Sequence, residues 1–345
     1  MISGIELAER GLAPDFAVRA GIRQLLNVRL KQCAGSSGES SWESTKVFLD
    51  HMNRSPLALN TSDANAQHYE VPTEFYDYCL GPRKKYSSCY FVTGRESLAE
   101  AEEIMLAKTC ERAQLKDGQT VLELGCGWGS LSLWMAEKYP KSTITVVSNS
   151  ATQRQYIEGV AAKKGFKNLT VITCDMNEFN IDQTFDRVVS VEMFEHMRNW
   201  NLLFERISGW LKPGGKLFFH IFVHQFYTYP FETSGDDDWM GRHFFTGGIM
   251  PAFDLPLRYQ EHLKIEDKWQ VCGTHYGETA EWWLKNLDAN RDKALDVFRR
   301  NPNQAGDSPT VMVNRWRIFF MACAELWNFR EGREWFVGHY LFTKR

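Results

Sequence analysis

The stretch Thr120-Val121-Leu122-Glu123-Leu124-Gly125-Cys126-Gly127-Trp128-Gly129 decides the fold. It begins as a short apolar run, the pattern of a buried strand. It then turns on glycines and enters a helical pattern at Ser130-Leu131-Ser132-Leu133-Trp134-Met135-Ala136. A strand, a glycine-rich turn and a helix form the half-unit that binds nucleotide-like ligands at the strand's C-terminal end. Glycine lets the backbone reverse sharply and lets a ligand approach where a Cβ would collide. The helix N-terminus adds N–H donors and positive potential. The spacing is Gly-x-Gly-x-Gly and not Gly-x-Gly-x-x-Gly, so a dinucleotide is the weaker reading. A structural turn with no ligand is the other.

Outward from that stretch the chain alternates strand and helix, the period of a doubly wound α/β sheet. Apolar strand patterns occur at 120–124, 143–148, 169–173, 185–191 and 216–222. Helical patterns separate them, to about 138, at 152–164 and at 202–211, with stops at Gly165 and at Lys212-Pro213-Gly214-Gly215. Right-handed crossovers make these strands parallel, with helices on both faces. After Phe222 the alternation breaks. A sixth strand is expected at 263–273, helices at 279–299 and 314–329, and a last strand at 336–343, with a substrate-covering insertion between them. Upstream, 1–32 reads as helix, 33–44 as a flexible Gly/Ser loop and 45–53 as a short helix. Residues 97–112 form an amphipathic helix opened by the capping box Ser97/Glu100. The division that follows is an N-terminal helical region (1–66), a lid with an amphipathic helix (67–118), a Rossmann-like core (119–225) and a cap carrying the final two core strands (226–345).

With 43% hydrophobic residues, 12 Trp, 12 Tyr and 23 Phe, the chain has material for a large core and for an aromatic pocket. A net charge of −3 provides no field to attract nucleic acid or an anionic membrane. The eight cysteines contain no Cys-x-x-Cys pair, so neither a metal site nor a disulfide framework is indicated. Residues 1–21 lack the apolar centre of a signal peptide, and no run of about 18 apolar residues occurs. These features predict a soluble cytoplasmic protein. Residues 1–60 are left either to cover the site or to build a homodimer contact.

Ligands gather at the C-terminal ends of such strands. Asn149 and Gln153 follow the second strand, as neutral groups that can hydrogen-bond a ribose. Asp175 and Met176 follow the third; Asp175 either accepts from an adenine amino group or caps a helix. The segment Tyr86-Ser87-Ser88-Cys89-Tyr90-Phe91 is either a lid over the cofactor or a packed aromatic wall. Glu123-x-Gly125-x-Gly127 is similar to the first motif of S-adenosylmethionine (SAM)-dependent methyltransferases.

Val191-Glu192-Met193-Phe194-Glu195-His196-Met197 ends the fourth strand, facing the place where a SAM methyl would point. On a single helical turn Glu192, Glu195 and His196 would share one face. Methyl transfer to nitrogen needs such a set. An alkylamine has a pKa of about 10, so its lone pair is blocked at neutral pH. A base must remove the proton and the nitrogen must be held about 3 to 3.5 Å from the reacting carbon. An imidazole with ordinary pKa near 6.5 suits the task if a carboxylate supports it. Glu192 can anchor the ammonium, and aromatic rings can add cation–π attraction. The plainer alternative is a cap at Glu192 and a solvated Glu195–His196 pair.

From Gln67 onward the chain resembles the coclaurine N-methyltransferase-like family, which includes tetrahydroprotoberberine, pavine and phenylalkylamine N-methyltransferases. That family is similar in turn to the cyclopropane-fatty-acyl-phospholipid synthases. The resemblance rests on His68-Tyr69, the Tyr86–Phe91 and Leu122–Gly129 segments, Val191–Met197, Asp236-Asp237-Asp238-Trp239, Phe244-Phe245-Thr246-Gly247-Gly248 and Gly273-Thr274-His275-Tyr276-Gly277-Glu278-Thr279. It implies a class I SAM-dependent methyltransferase fold, seven-stranded with the last strand antiparallel. It implies methyl transfer to an arylalkylamine or benzylisoquinoline-type nitrogen, leaving S-adenosylhomocysteine. The catalytic pair falls on Glu195 and His196, and the additional substrate-binding glutamate on Glu192. Cofactor contacts fall on Tyr86, Ser87, Gly125, Cys126, Gly127, Asn149, Gln153, Asp175, Met176 and Val191. Substrate contacts are expected from Glu192, His220, Tyr276, Phe244 and Trp239. The alternative is methylene transfer to an unsaturated lipid with bicarbonate as base; the bicarbonate holders would fall on Cys89, Glu195, His220 and Tyr276. Cys323 lies where the synthases carry a cysteine. Against this, the synthases have glycine at the place of Glu192, and an acyl chain gains nothing from a carboxylate there. The expected partner is a small-molecule amine, with no nucleic acid and no stable membrane association.

Overall fold

The computed structural model describes residues 3–59, 71–233, 235, 238–303 and 305–345. The motif residues 67–70, Asp236 and Asp237 lie outside these. The chain opens with helices α1 (Gly4–Glu9), α2 (Asp15–Ala34) and α3 (Gly38–Arg54). The single helix expected over 1–32 is thus two helices, split by a turn in which Gly11 has φ +74°. The loop expected at 33–44 shrinks to a few residues. Its Gly/Ser content builds caps instead: Gly35 ends α2 in a positive-φ conformation, and Ser37 caps α3 through a reciprocal bond with Ser40. After α4 (Thr73–Asp77), α5 (Leu98–Arg112) begins with the expected capping box. Ser97 Oγ accepts from Glu100 N at 3.3 Å, and Ser97 N donates to Glu100 Oε2 at 2.8 Å.

The core follows as β1 (Thr120–Leu124), α6 (Ser130–Lys138), β2 (Thr143–Ser148), α7 (Ala151–Lys164), β3 (Leu169–Thr173), β4 (Phe185–Val191), α8 (Trp200–Trp210) and β5 (Leu211–His224). A small ribbon, β6 (Tyr229–Pro230) and β7 (Ile249–Met250), encloses α9 (Trp239–His243). The chain then returns to the sheet as β8 (Leu263–Val271). Helices α10 (Gly273–Ala289), α11 (Arg291–Arg300) and α12 (Pro309–Asn328) complete the cap, and β9 (Trp335–Lys344) ends the chain. The expected helix at 279–299 is two helices parted at Asn290, whose side chain turns back to the Asn286 carbonyl.

The seven strands run in the order β3-β2-β1-β4-β5-β9-β8. β1 to β5 are parallel, and β9 lies antiparallel between β5 and β8. This register sets His220 directly opposite His339. Leu122, Leu124 and Val121 of β1 are almost wholly buried, each contributing about 1.5–3 kcal/mol of apolar burial. The central strand is therefore held rigidly, and the loop at its end inherits that rigidity. One apolar cluster packs on each face of the sheet, and a third joins α4, α5, α10 and α12 into the cap. α2 has no buried residue; it rests on the cap by half-buried Val18, Ile22 and Leu26 and by Arg19 ion pairs to Glu281 and Glu325. No helix among the described residues is long and apolar enough to cross a membrane.

Candidate active site

The loop after β1 is built for a close neighbour. Gly125 and Gly127 have φ +75° and +52°, conformations that L side chains rarely adopt. A Cβ on Gly125 would lie 2.6 Å from the Met193 side chain, whereas one on Gly127 would meet nothing within 4 Å. Gly127 therefore borders open space. That space is bounded also by Tyr86, Ser87, Cys126 and Val191, with Ser130 and Gln153 at the helix N-termini. Ser148 Oγ accepts from Ser150 N at 3.1 Å and donates to Gln153 Oε1 at 2.6 Å. The Gln153 amide nitrogen is thus left as a donor. It and Ser130 Oγ are buried and have no partner among the described residues. A glycine cradle and neutral donors fit a SAM molecule. A smaller adjoining cavity is bordered by Ser148, Asn149, Cys174 and Met176, and shares Gly125, Gly127 and Gln153 with the first. No helix starts at Asp175; its Oδ1 accepts from Asn177 N at 2.8 Å within a turn, and its neighbours Cys174 and Met176 border the cavity.

The fourth strand delivers the acidic cluster differently from expectation. Glu192 is left-handed (φ +50°), at a cost of about 1–2 kcal/mol for a residue with a Cβ. A single 3-10 turn, Phe194–His196, follows. The three side chains therefore diverge and do not share a helical face. Glu192 turns toward β5 and α10: its Oε1 accepts from Ser88 N at 3.1 Å and lies 3.2 Å from His220 Nε2, and its Oε2 accepts from Tyr276 Oη at 2.7 Å. Glu195 turns inward beneath the cavity, where Oε1 accepts from Phe222 N at 2.7 Å. Its Oε2 is buried with no partner among the described residues. His196 borders both cavities, its ring 4.5 Å from that of Phe245.

Two buried carboxyls this close cannot both ionise freely. Burial pushes Glu192 up to about 7, held from going further by the Lys85 charge and by the bonds from Tyr276 and Ser88. Burial, and then the Glu192 charge, push Glu195 well above the carboxylate range. The proton thus belongs to Glu195, whose orphan oxygen has no donor to support a charge, and the charge to Glu192, which has the donors.

Tyr276 borders the cavity and stacks on Trp327 with centroids 4.7 Å apart. Phe222, Phe231, Phe245 and Trp283 add further ring surface. Three expected substrate contacts stand one layer back. His220 is fully buried under Glu192. Trp239 donates to Glu9 Oε1 at 2.8 Å, and Phe244 stacks on Phe319 at 4.3 Å. Their chain neighbours Met240 and Phe245 face the cavity instead. Sequence reasoning also passed over Lys85. Its ammonium is buried, donates to Ser88 O at 2.7 Å, and is pushed down in pKa by burial. Its position immediately before Tyr86-Ser87 was the available signal. Cys323 borders the cavity too, and no metal-binding group of His, Cys, Asp or Glu occurs among the described residues.

Residues 58–334 match the family model described as mycolic acid cyclopropane synthetase. The chain is 35% identical over 339 residues to (S)-coclaurine N-methyltransferase of Thalictrum flavum subsp. glaucum, covering 98% of this chain and 94% of that one. It is 30% identical over 236 residues to the cyclopropane-fatty-acyl-phospholipid synthase of Escherichia coli (strain K12), covering 67% of this chain and 58% of that one. Its fold superposes on the crystal structure of coclaurine N-methyltransferase bound to N-methylheliamine and S-adenosylhomocysteine with a TM-score of 0.93, at 34% identity over 99% of this chain and 98% of that one. The sheet order and the antiparallel β9 are those of the class I methyltransferase fold. The chain belongs to the coclaurine N-methyltransferase-like family, related to the cyclopropane synthases, and is a SAM-dependent methyltransferase.

Proposed function

We propose that the protein N-methylates an arylalkylamine or benzylisoquinoline-type amine. Bound SAM supplies an electrophilic methyl group on a sulfonium. The observation that carries the reading is the seat of Glu192. Ser88 N–H, the His220 imidazole and Tyr276 O–H converge on one point, and the protein's own carboxylate fills it. A carboxylate buried beside tryptophan, tyrosine and phenylalanine rings is a receptor for an ammonium. Glu192 anchors the protonated amine, and the rings hold its aryl part. His196, at the junction of the two cavities, accepts the amine proton. Glu195 keeps its proton in this step, and the Glu192 carboxylate, which borders the same two cavities as His196, offsets the charge of the imidazolium. The same geometry weighs against methylene transfer to a lipid. Bicarbonate would need the donors that Glu192 already occupies.

The test is transfer of a labelled methyl group across a panel of secondary and tertiary arylalkylamines. A parallel arm offers unsaturated phospholipid vesicles with and without bicarbonate. Methylated amines support the reading; bicarbonate-dependent lipid products with no amine product overturn it.

A further inference from the structure

The anchor carboxylate is the end of a longer hydrogen-bonded chain. Arg112, the last residue of α5, places Nη1 2.8 Å from His339 Nδ1. His339 Nε2 lies 3.0 Å from His220 Nδ1, and His220 Nε2 lies 3.2 Å from Glu192 Oε1. Both imidazoles are fully buried, on paired positions of β5 and β9. The direction of this chain follows from one fact: a guanidinium has donors and no acceptor. His339 must therefore accept at Nδ1 and carry its hydrogen on Nε2. His220 must then accept at Nδ1 and donate from Nε2 to Glu192. Were Arg112 absent, the chain could reverse. Each imidazole would donate the other way, and Glu192 would have to hold a proton to donate to His220.

We propose that Arg112 and His339 are positioning residues that fix, through His220, a hydrogen bond donated to Glu192, and so keep that carboxylate anionic. Its use as an ammonium anchor rests on the proposed amine reading; the relay itself does not. Burial pushes both imidazoles well below their ordinary pKa, which agrees with two neutral rings. Glu192 is also faced by Lys85, Tyr276, Glu195, Cys89 and Cys323. The two imidazoles are faced by Lys85, Lys108 and Arg112, and Arg112 by Tyr90, Glu111 and Asp267. Lys85 favours the anion independently, so cutting the relay shifts Glu192 without forcing it neutral at every pH.

The experiment uses the full chain saturated with S-adenosylhomocysteine, with 15N-labelled histidine and 13C-labelled glutamate carboxyls. In the unsubstituted protein, His220 and His339 are expected to be neutral with hydrogen on Nε2. The Glu192 titration midpoint is expected to rise by about one pH unit in R112M and in H339L. H339Q should restore it, because the amide oxygen accepts from Arg112 while the amide nitrogen donates to His220. Hydrogen on Nδ1 of either ring in the unsubstituted protein would overturn the proposal, as would a charged ring at neutral pH. An unmoved midpoint in both R112M and H339L, or an equal rise in H339Q, would do the same. The tautomer reading needs no variant and decides alone if a substitution prevents folding. None of these readouts requires an amine, so failure of the substrate reading shows separately, as absent methyl transfer to the amine panel.

Discussion

The two sides of the cleft recognise their ligands by different means. On the side of β1 and β2 the groups are backbone at Gly125 and Gly127 and neutral side chains such as Ser130, Asn149 and Gln153. On the side of β4, β5 and α10 they are the buried Glu195, the nearly buried Glu192, a buried lysine and a shell of aromatic rings. The first side works by shape and leaves a sulfonium undisturbed by a misplaced cation. The second works by charge, at the cost of a left-handed glutamate and an orphaned carboxyl oxygen. The difference teaches that one half is ready-made by a local turn and the other must be assembled from distant segments. Substitutions on the two sides should therefore separate cofactor affinity from chemistry.

The largest separation is expected from His196→Ala. Loss of a general base should lower kcat by about 10²- to 10⁴-fold while SAM affinity changes little. A tertiary amine, with one fewer proton to surrender, should suffer less than a secondary one. Unchanged turnover would remove the base assignment. Next comes Glu192→Gln, which keeps the shape and deletes the charge. We expect kcat/KM for the amine to fall by about 10²-fold, the effect of removing one partner of a buried charge pair. Calorimetric titration with S-adenosylhomocysteine should show an affinity close to that of the unsubstituted protein.

Gly127→Ala is the converse probe. Its Cβ enters the open space, so SAM affinity should fall by about tenfold, with a stability loss of about 1–2 kcal/mol from the left-handed backbone. Gly125→Ala should lose more stability, since its Cβ meets Met193 at 2.6 Å. Melting curves of both variants check the order. The smallest effect concerns Glu123, which burial pushes up to about 8 against the bond from Ser132. A carboxyl raised in the folded state contributes stability fully present below about 4.5, its unfolded value, and lost as pH rises through about 8. The melting temperature of Glu123→Gln relative to the unsubstituted apo protein should therefore climb between about pH 5 and pH 8 and level off above that. A flat difference would contradict this.

The same contrast explains what could be read in advance. β1 to β4 and the Ser97 cap appear where periodicity and capping residues put them, because each is decided by neighbours along the chain. The left-handed Glu192 was not legible, since the residue type gives no sign of positive φ and its strain is held by contacts from β5 and α10. Nor could aromatic content distinguish Trp239 and Phe244, behind the wall, from Met240 and Phe245 facing the cavity. Helix α9 has five residues, too few to set a phase from sequence. Arg112 on α5 and His339 on β9 are 227 positions apart and meet only in the folded chain, and His339 faces His220 only through the β5–β9 register. At the other end of the chain, Gly35 and Ser37 turned an expected loop into two capped helix ends.

The most direct test of the charge-based half is calorimetric binding of a methylated amine to the S-adenosylhomocysteine complex between pH 5.5 and 8.5. The ammonium stays protonated across this range, so a pH dependence that Glu192→Gln abolishes belongs to the anchor. Affinity should strengthen as pH rises through about 7, where Glu192 ionises, and Glu192→Gln should bind weakly with no such dependence. Amine affinity that is independent of pH, or equal in the variant, would contradict the account.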